Sequence, residues 1–88
     1  MQLILDGKSV TSKTILHDCL QEGLQLPVYY GRNLDGLFDV LAERSEETEI
    51  VVTHWETLTE HLGHYAAALM DTLYDAAKEN PKIKICVE

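Results

Sequence analysis

Two cysteines, two prolines, one tryptophan and one phenylalanine are all that this 88-residue chain has of those residue types. Two cysteines are too few for a disulfide framework. Cys19 falls in an amphipathic helical pattern and Cys86 in an apolar, strand-like run. Both read as small buried hydrophobes, which suits a reducing compartment. Basic residues are also scarce: seven Lys and Arg stand against fifteen Asp and Glu, a formal net charge of −8. Such a chain is repelled by nucleic acid and by anionic membrane surfaces, so neither is an expected direct partner. No apolar run approaches the ~20 residues that cross a bilayer. The opening MQLILDGKSV lacks the basic start and long apolar stretch of a secretory signal, so the expected location is the cytoplasm. There are no repeats, low-complexity tracts or linkers, and the length suits one domain spanning residues 1–88.

What the chain has in quantity is negative charge, unevenly placed. Between Asn33 and Glu60 lie eight acids (Asp35, Asp39, Glu43, Glu46, Glu47, Glu49, Glu56 and Glu60) and one base, Arg44. Charge alone allows two readings, a solubilising acidic surface or a face that steers a basic partner into place.

The hydrophobic pattern orders the chain. Gln2 to Leu5 is a short apolar run closed by the turn signal Asp6-Gly7, hence a strand. Thr11 or Ser12 can cap a helix carrying Ile15, Leu16, Cys19 and Leu20, which Gly23 ends. Pro27 holds Leu26 extended and Gly31 permits a sharp bend. Asn33 is a strong N-cap for a second helix with Leu34, Leu37 and Leu41 turned to the core. After a polar loop from Glu43 to Glu49, Ile50 to Val52 form a strand expected to be buried on both sides. A helical region from Trp55 to Leu62 is interrupted by Gly63. The longest helix follows, Tyr65 to Glu79, with Ala66, Leu69, Met70, Leu73 and Ala77 facing inward. Asn80-Pro81 stops it, and Ile83, Ile85 and Val87 alternate with Lys84 and Cys86 in a last strand. Trp55 and Tyr74 read as core or boundary aromatics. Strands joined by helices favour parallel pairing, so the expected fold is α/β: a small three-stranded parallel sheet packed with about four helices.

The segment richest in chemistry is Pro27 to Leu41, PVYYGRNLDGLFDVL. With Leu34, Leu37 and Leu41 inward, Asp35 and Asp39 lie one turn apart on another face, with Phe38 beside them and exposed. Like charges at i and i+4 cost an isolated helix ~0.2–0.5 kcal/mol. Asp35 recovers part of this at the positive end of the helix dipole; Asp39 gains less. Two acids and an aromatic ring on a solvent face gain the fold little. They suit a binding surface, although a helix-start acid and a ring tucked under the next loop would look the same.

LPVYYGRNLDGLFDVL closely resembles the loop-and-helix signature of the barstar family, L-P-x-Y-Y-G-x-N-L-D-x-L-W/F-D. The likeness extends from the first strand with Asp6-Gly7, through the Leu16-His17 helix, to Ala77-Lys78 and the closing strand. It implies a bacterial intracellular inhibitor of barnase-type guanyl-specific ribonucleases, needing no cofactor and catalysing nothing. By position, it implies that Tyr29 packs on the enzyme, with Tyr30 beside it in the same loop. Gly31 would shape that loop, Asn33 would cap the helix at the interface, and Leu34, Phe38 and Glu43 would belong to the same surface. Asp35 would meet basic residues beside the active site, and Asp39 would enter the pocket for the RNA phosphate. The barnase–barstar pair is itself a reference system for such acidic hot spots. The family's glutamate on the last helix falls here at Ala76, with Asp75 and Glu79 nearby. Phe38 replaces the usual tryptophan, Gly36 stands where alanine is common, and Arg32 brings a positive charge into the binding loop.

Other chemistry has less support. His61 and His64 are three apart and His54 is near, but no ligand set completes a zinc pattern, so no metal is expected. Asp35 and Asp39 have no nucleophile, phosphate-binding glycine loop or cofactor motif to work with, so no enzyme is expected. The alternative to a ribonuclease inhibitor is a related immunity or adaptor protein that binds another toxin nuclease or another basic protein. The free protein is expected to be a monomer.

Overall fold

A computed structural model describes all residues, 1–88. Strand β1 (Gln2–Asp6) leads into helix α1 (Lys13–Gly23), a short 3₁₀ turn (Val28–Tyr30) and helix α2 (Leu34–Ala42). Strand β2 (Thr48–Thr53) is followed by α3 (Trp55–Leu62), α4 (His64–Glu79) and strand β3 (Ile83–Val87). The sheet has the order β1-β2-β3 and both pairings are parallel, as the helical crossovers require.

Strand alternation sorts side chains between two faces. The rows Leu3–Ile50–Ile85 and Leu5–Val52–Val87 point one way, and the rows Gln2–Glu49–Lys84 and Ile4–Val51–Cys86 the other. Leu5, Ile50, Val52 and Ile83 join Leu16, Leu20, Leu37, Leu41, Leu58, Leu69 and Leu73 in the hydrophobic core, so the helices cover the first face. The second face is open: Ile4, Lys84 and Cys86 are exposed on it. Val51 is buried as expected but stands outside the core; its flanking neighbours Ile4 and Cys86 shield it rather than a second helical layer. Cys86 therefore corrects the sequence reading. Its register places it with Lys84 on the open face and not among buried hydrophobes. Tyr74 is likewise exposed, whereas Trp55 packs partly buried against the core.

Local signals set the helix starts. The Ser12 hydroxyl accepts from the Ile15 N–H at 3.2 Å, and the Asn33 side-chain oxygen accepts from the Gly36 N–H at 2.7 Å, so both helices carry a side-chain N-cap. The end of α2 is held from a distance. Buried Asn80 donates through Nδ2 to the carbonyls of Leu41 and Arg44, each at 2.8 Å, and accepts from the Lys82 N–H at 3.0 Å. One side chain just after α4 thus caps the Arg44 carbonyl beyond α2, adds a second donor to the Leu41 carbonyl that already accepts from the Arg44 N–H at 3.2 Å, and ties the end of α2 to the start of β3. Helix α2 also packs lengthwise on α4.

Candidate functional site

The site is built on α2 and the loop that enters it. Leu37, Val40 and Leu41 anchor α2 in the core, with Val40 added to the stripe expected from the leucines. Leu34 and Phe38 are half-buried and pack against the core edge. The helix therefore turns Asp35, Asp39 and Glu43 to solvent, while the Phe38 ring lies partly covered and not free on the surface as expected. Backbone conformation and a side-chain bond shape the loop before the helix. Gly31 adopts φ 76°, the left-handed region glycine enters without strain, and Asn33 Nδ2 donates back to the Gly31 carbonyl at 3.1 Å. A Cβ on residue 36 would lie 1.8 Å from the Tyr30 carbonyl oxygen. Gly36 thus lets the loop sit flush on the first turn of α2, which gives that residue a packing role rather than a merely loosening one.

The two tyrosines part company. Tyr29 is 76% exposed and its neighbour Val28 95% exposed, so the 3₁₀ turn presents an apolar tip. Val28 was missed in the sequence, where a single valine beside proline carries no signal. Tyr30, expected at the surface with Tyr29, is instead fully buried. Its hydroxyl meets His17 Nδ1, and His17 Nε2 meets the Tyr65 hydroxyl at 2.8 Å. The completely buried Tyr30 hydroxyl has His17 alone as partner, so its proton must go to Nδ1. The imidazole proton then sits on Nε2 and is donated to Tyr65, whose own O–H is left free. Burial, and then the nearby Arg32 charge, hold His17 below its ordinary pKa, and burial pushes the Tyr30 phenol up. A neutral His17 thus locks the loop before α2 to α1 and α4.

A cavity of about 300 Å³ beside Tyr29 brings Leu26, Pro27, Val40, Glu43 and Glu46 around it. The structure so joins Tyr29 and Glu43, which lie far apart in sequence. Ala76 is fully buried, so it offers nothing to a partner; Asp75 and Glu79 are exposed on α4, the helix that packs on α2.

The ion pairs lie elsewhere. Asp18 holds Arg32 at 2.6 Å, Asp6 meets His54 at 2.9 Å, and Glu46 lies 3.8 Å from both Arg44 and the N-terminal amine. Asp35, Asp39, Glu43 and Asp75 have no cationic partner in the chain. Histidines take up structural bonds, His61 Nδ1–H donating to the Gly7 and Val10 carbonyls at 3.0 and 3.2 Å, and no three potential ligands converge on a metal position.

The family model described as Barstar (barnase inhibitor) matches residues 1–88. The chain belongs to the barstar family. It is also 34% identical to a Bacillus subtilis (strain 168) protein named "Putative ribonuclease inhibitor YrdF", across 99% of this chain and 98% of that protein. Against the barstar signature, the charge of Arg32 is accounted for. Its guanidinium turns away from α2 onto α1, bonding Gln21 Oε1 at 2.8 Å, the Thr14 carbonyl at 3.2 Å and Asp18. In this barstar-family member the loop's positive charge is thus spent on holding the loop and does not offset the acids of α2. No helix is long and apolar enough to cross a membrane.

Proposed function

We propose that this protein is an intracellular inhibitor that covers the active site of a basic, barnase-type ribonuclease with α2 and the loop before it. Membership of the barstar family and the likeness to a protein named as a ribonuclease inhibitor support the class. The observation that carries the mechanism is the pair of exposed, uncompensated carboxylates Asp35 and Asp39 on a helix fixed at its start, in a chain of net charge −8. A ribonuclease cleft must attract phosphates, and carboxylates held on a rigid element can take their place. Because no internal partner must be given up, their attraction to a cation is undiminished by competition within the chain. Asp39 is the central acid, Asp35 and Asn33 flank it, and Glu43 with Asp75 extends the charge. Tyr29 supplies the apolar contact, with Gly31, Leu34 and Phe38 shaping its surround, while Tyr30 acts from beneath by fixing the loop. The protein acts as one domain, as a monomer, by occlusion and without catalysis or cofactor.

The test is RNA cleavage by a barnase-type ribonuclease titrated with this protein at low and high salt. Stoichiometric inhibition that weakens with salt and with Asp39→Ala is expected. A folded protein that binds such an enzyme without suppressing cleavage would make it an adaptor; one that ignores it while capturing another nuclease would make it an immunity protein for a different toxin.

A further inference from the structure

We propose that a cavity between the starts of α1 and α4, beside the binding loop, is a carboxylate-binding subsite that receives an acidic side chain of the inhibited ribonuclease. The proposal rests on the inhibitor reading above for its occupant, and on the cavity alone for its chemistry. Lys13, Thr14, His17, Arg32 and Tyr65 line a space of about 190 Å³. In a chain with only seven Lys and Arg, two of them face this one space.

The donors point to an anion. The Lys13 ammonium has no carboxylate partner and stands 4.4 Å over the Tyr65 ring. Tyr65 receives its hydrogen bond from His17 and has its own O–H to give. Arg32 uses both terminal nitrogens on Gln21, Thr14 and Asp18 and keeps its Nε–H unused. Asp18 pairs with Arg32 at 2.6 Å, so the unpaired charge at the cavity is that of Lys13. Such a site fits one carboxylate, not a multiply charged phosphate.

Within the fold Lys13 has only the Tyr65 ring for a partner, and its backbone position works against it. It is the first residue of α1, where the helix dipole favours acids and disfavours a cation. The cavity also shares Arg32 with the loop, one residue from Gly31 and one from Asn33. A partner seated on that loop has this rim within reach. A positive spot beside an acidic face would select ribonucleases with an acid at the matching place and reject those with a base, because like charges brought together are costly.

The experiment compares wild type, Lys13→Gln and Lys13→Glu for affinity to a barnase-type ribonuclease and for thermal stability, and titrates each with acetate at constant ionic strength while following Tyr65 and Lys13 by NMR. Lys13→Glu should weaken the complex about tenfold, and Lys13→Gln less, with melting temperature unchanged or raised. Acetate should give saturable shifts in wild type and none in Lys13→Glu. Absence of saturation in wild type would overturn the subsite. A ribonuclease weakened by Asp39→Ala yet indifferent to Lys13→Glu would overturn the occupant while leaving the inhibitor reading intact. Inhibition of no ribonuclease would remove that reading and its occupant together, and the acetate titration would then judge the cavity by itself.

Discussion

Replacing Tyr30 by Phe isolates the bond that fastens the loop before α2. The ring is fully buried, and Phe fills the same volume, so neither a cavity nor lost apolar area enters the account. What disappears is the hydroxyl that donates to His17 Nδ1, leaving that nitrogen an acceptor without a donor in a buried place. A net hydrogen bond is worth about 0.5–1.5 kcal/mol, and a buried group left unpaired costs about 1–3 kcal/mol, so the expected loss is about 1–3 kcal/mol. For a domain of this size each kcal/mol moves Tm by roughly 4–8 °C, and the drop should be clear in a thermal or urea melt followed by circular dichroism, with an unchanged urea slope. Tyr65→Phe is the control. Tyr65 is only partly buried, and it and His17 line the same open cavity, where water can take up the abandoned His17 N–H, so its cost should be smaller. A Tyr30→Phe melt that overlays the wild type would refute the claim that this bond holds the loop. A larger loss in Tyr65→Phe would refute the placement of the imidazole proton on Nε2.

Asp39→Ala should leave the melting temperature equal or slightly raised, because an exposed acid four residues from Asp35 is removed. The same variant should cost the complex about 2–5 kcal/mol, the range for truncating one partner of a buried charge pair, read from inhibition constants. Asn80→Ala removes the donor to the Leu41 and Arg44 carbonyls and should destabilise the fold by about 1–3 kcal/mol in urea, without altering the carboxylates of α2. Stability should also fall as pH drops below 6.5, the ordinary value for His17. Burial and Arg32 lower the folded pKa against the opposing pull of Asp18, so the unfolded chain takes up the proton first and gains by it. Urea melts at several pH values would check this, and in His17→Gln that part of the slope should vanish.

Much of the design could be read from the chain, for local reasons. Helix starts at Ser12 and Asn33 follow from side chains that reach an N–H three residues on, and the turn at Gly31 from a residue with no Cβ. The period of 3.6 along Leu37 to Leu41 put Asp35 and Asp39 outward, and crossover helices made the sheet parallel. Tyr29 and Tyr30 were indistinguishable, because adjacent residues of one type share every local signal. Their opposite fates depend on His17, thirteen residues before Tyr30, and on Tyr65 in a different helix. Cys86 was misplaced because apolar alternation shows that a strand has two faces but not which one lacks a helical cover.

By itself, then, the sequence determined the order of elements, the family signature and the acidic face of α2, since each rests on spacing along a few turns of chain. Only the tertiary structure decided that Asp35 and Asp39 have no internal counter-ion, that Arg32 is spent on α1, and that Lys13 meets Tyr65 at a cavity rim. Charge pairing depends on distance through space, and folding brings together residues that no interval in the sequence relates.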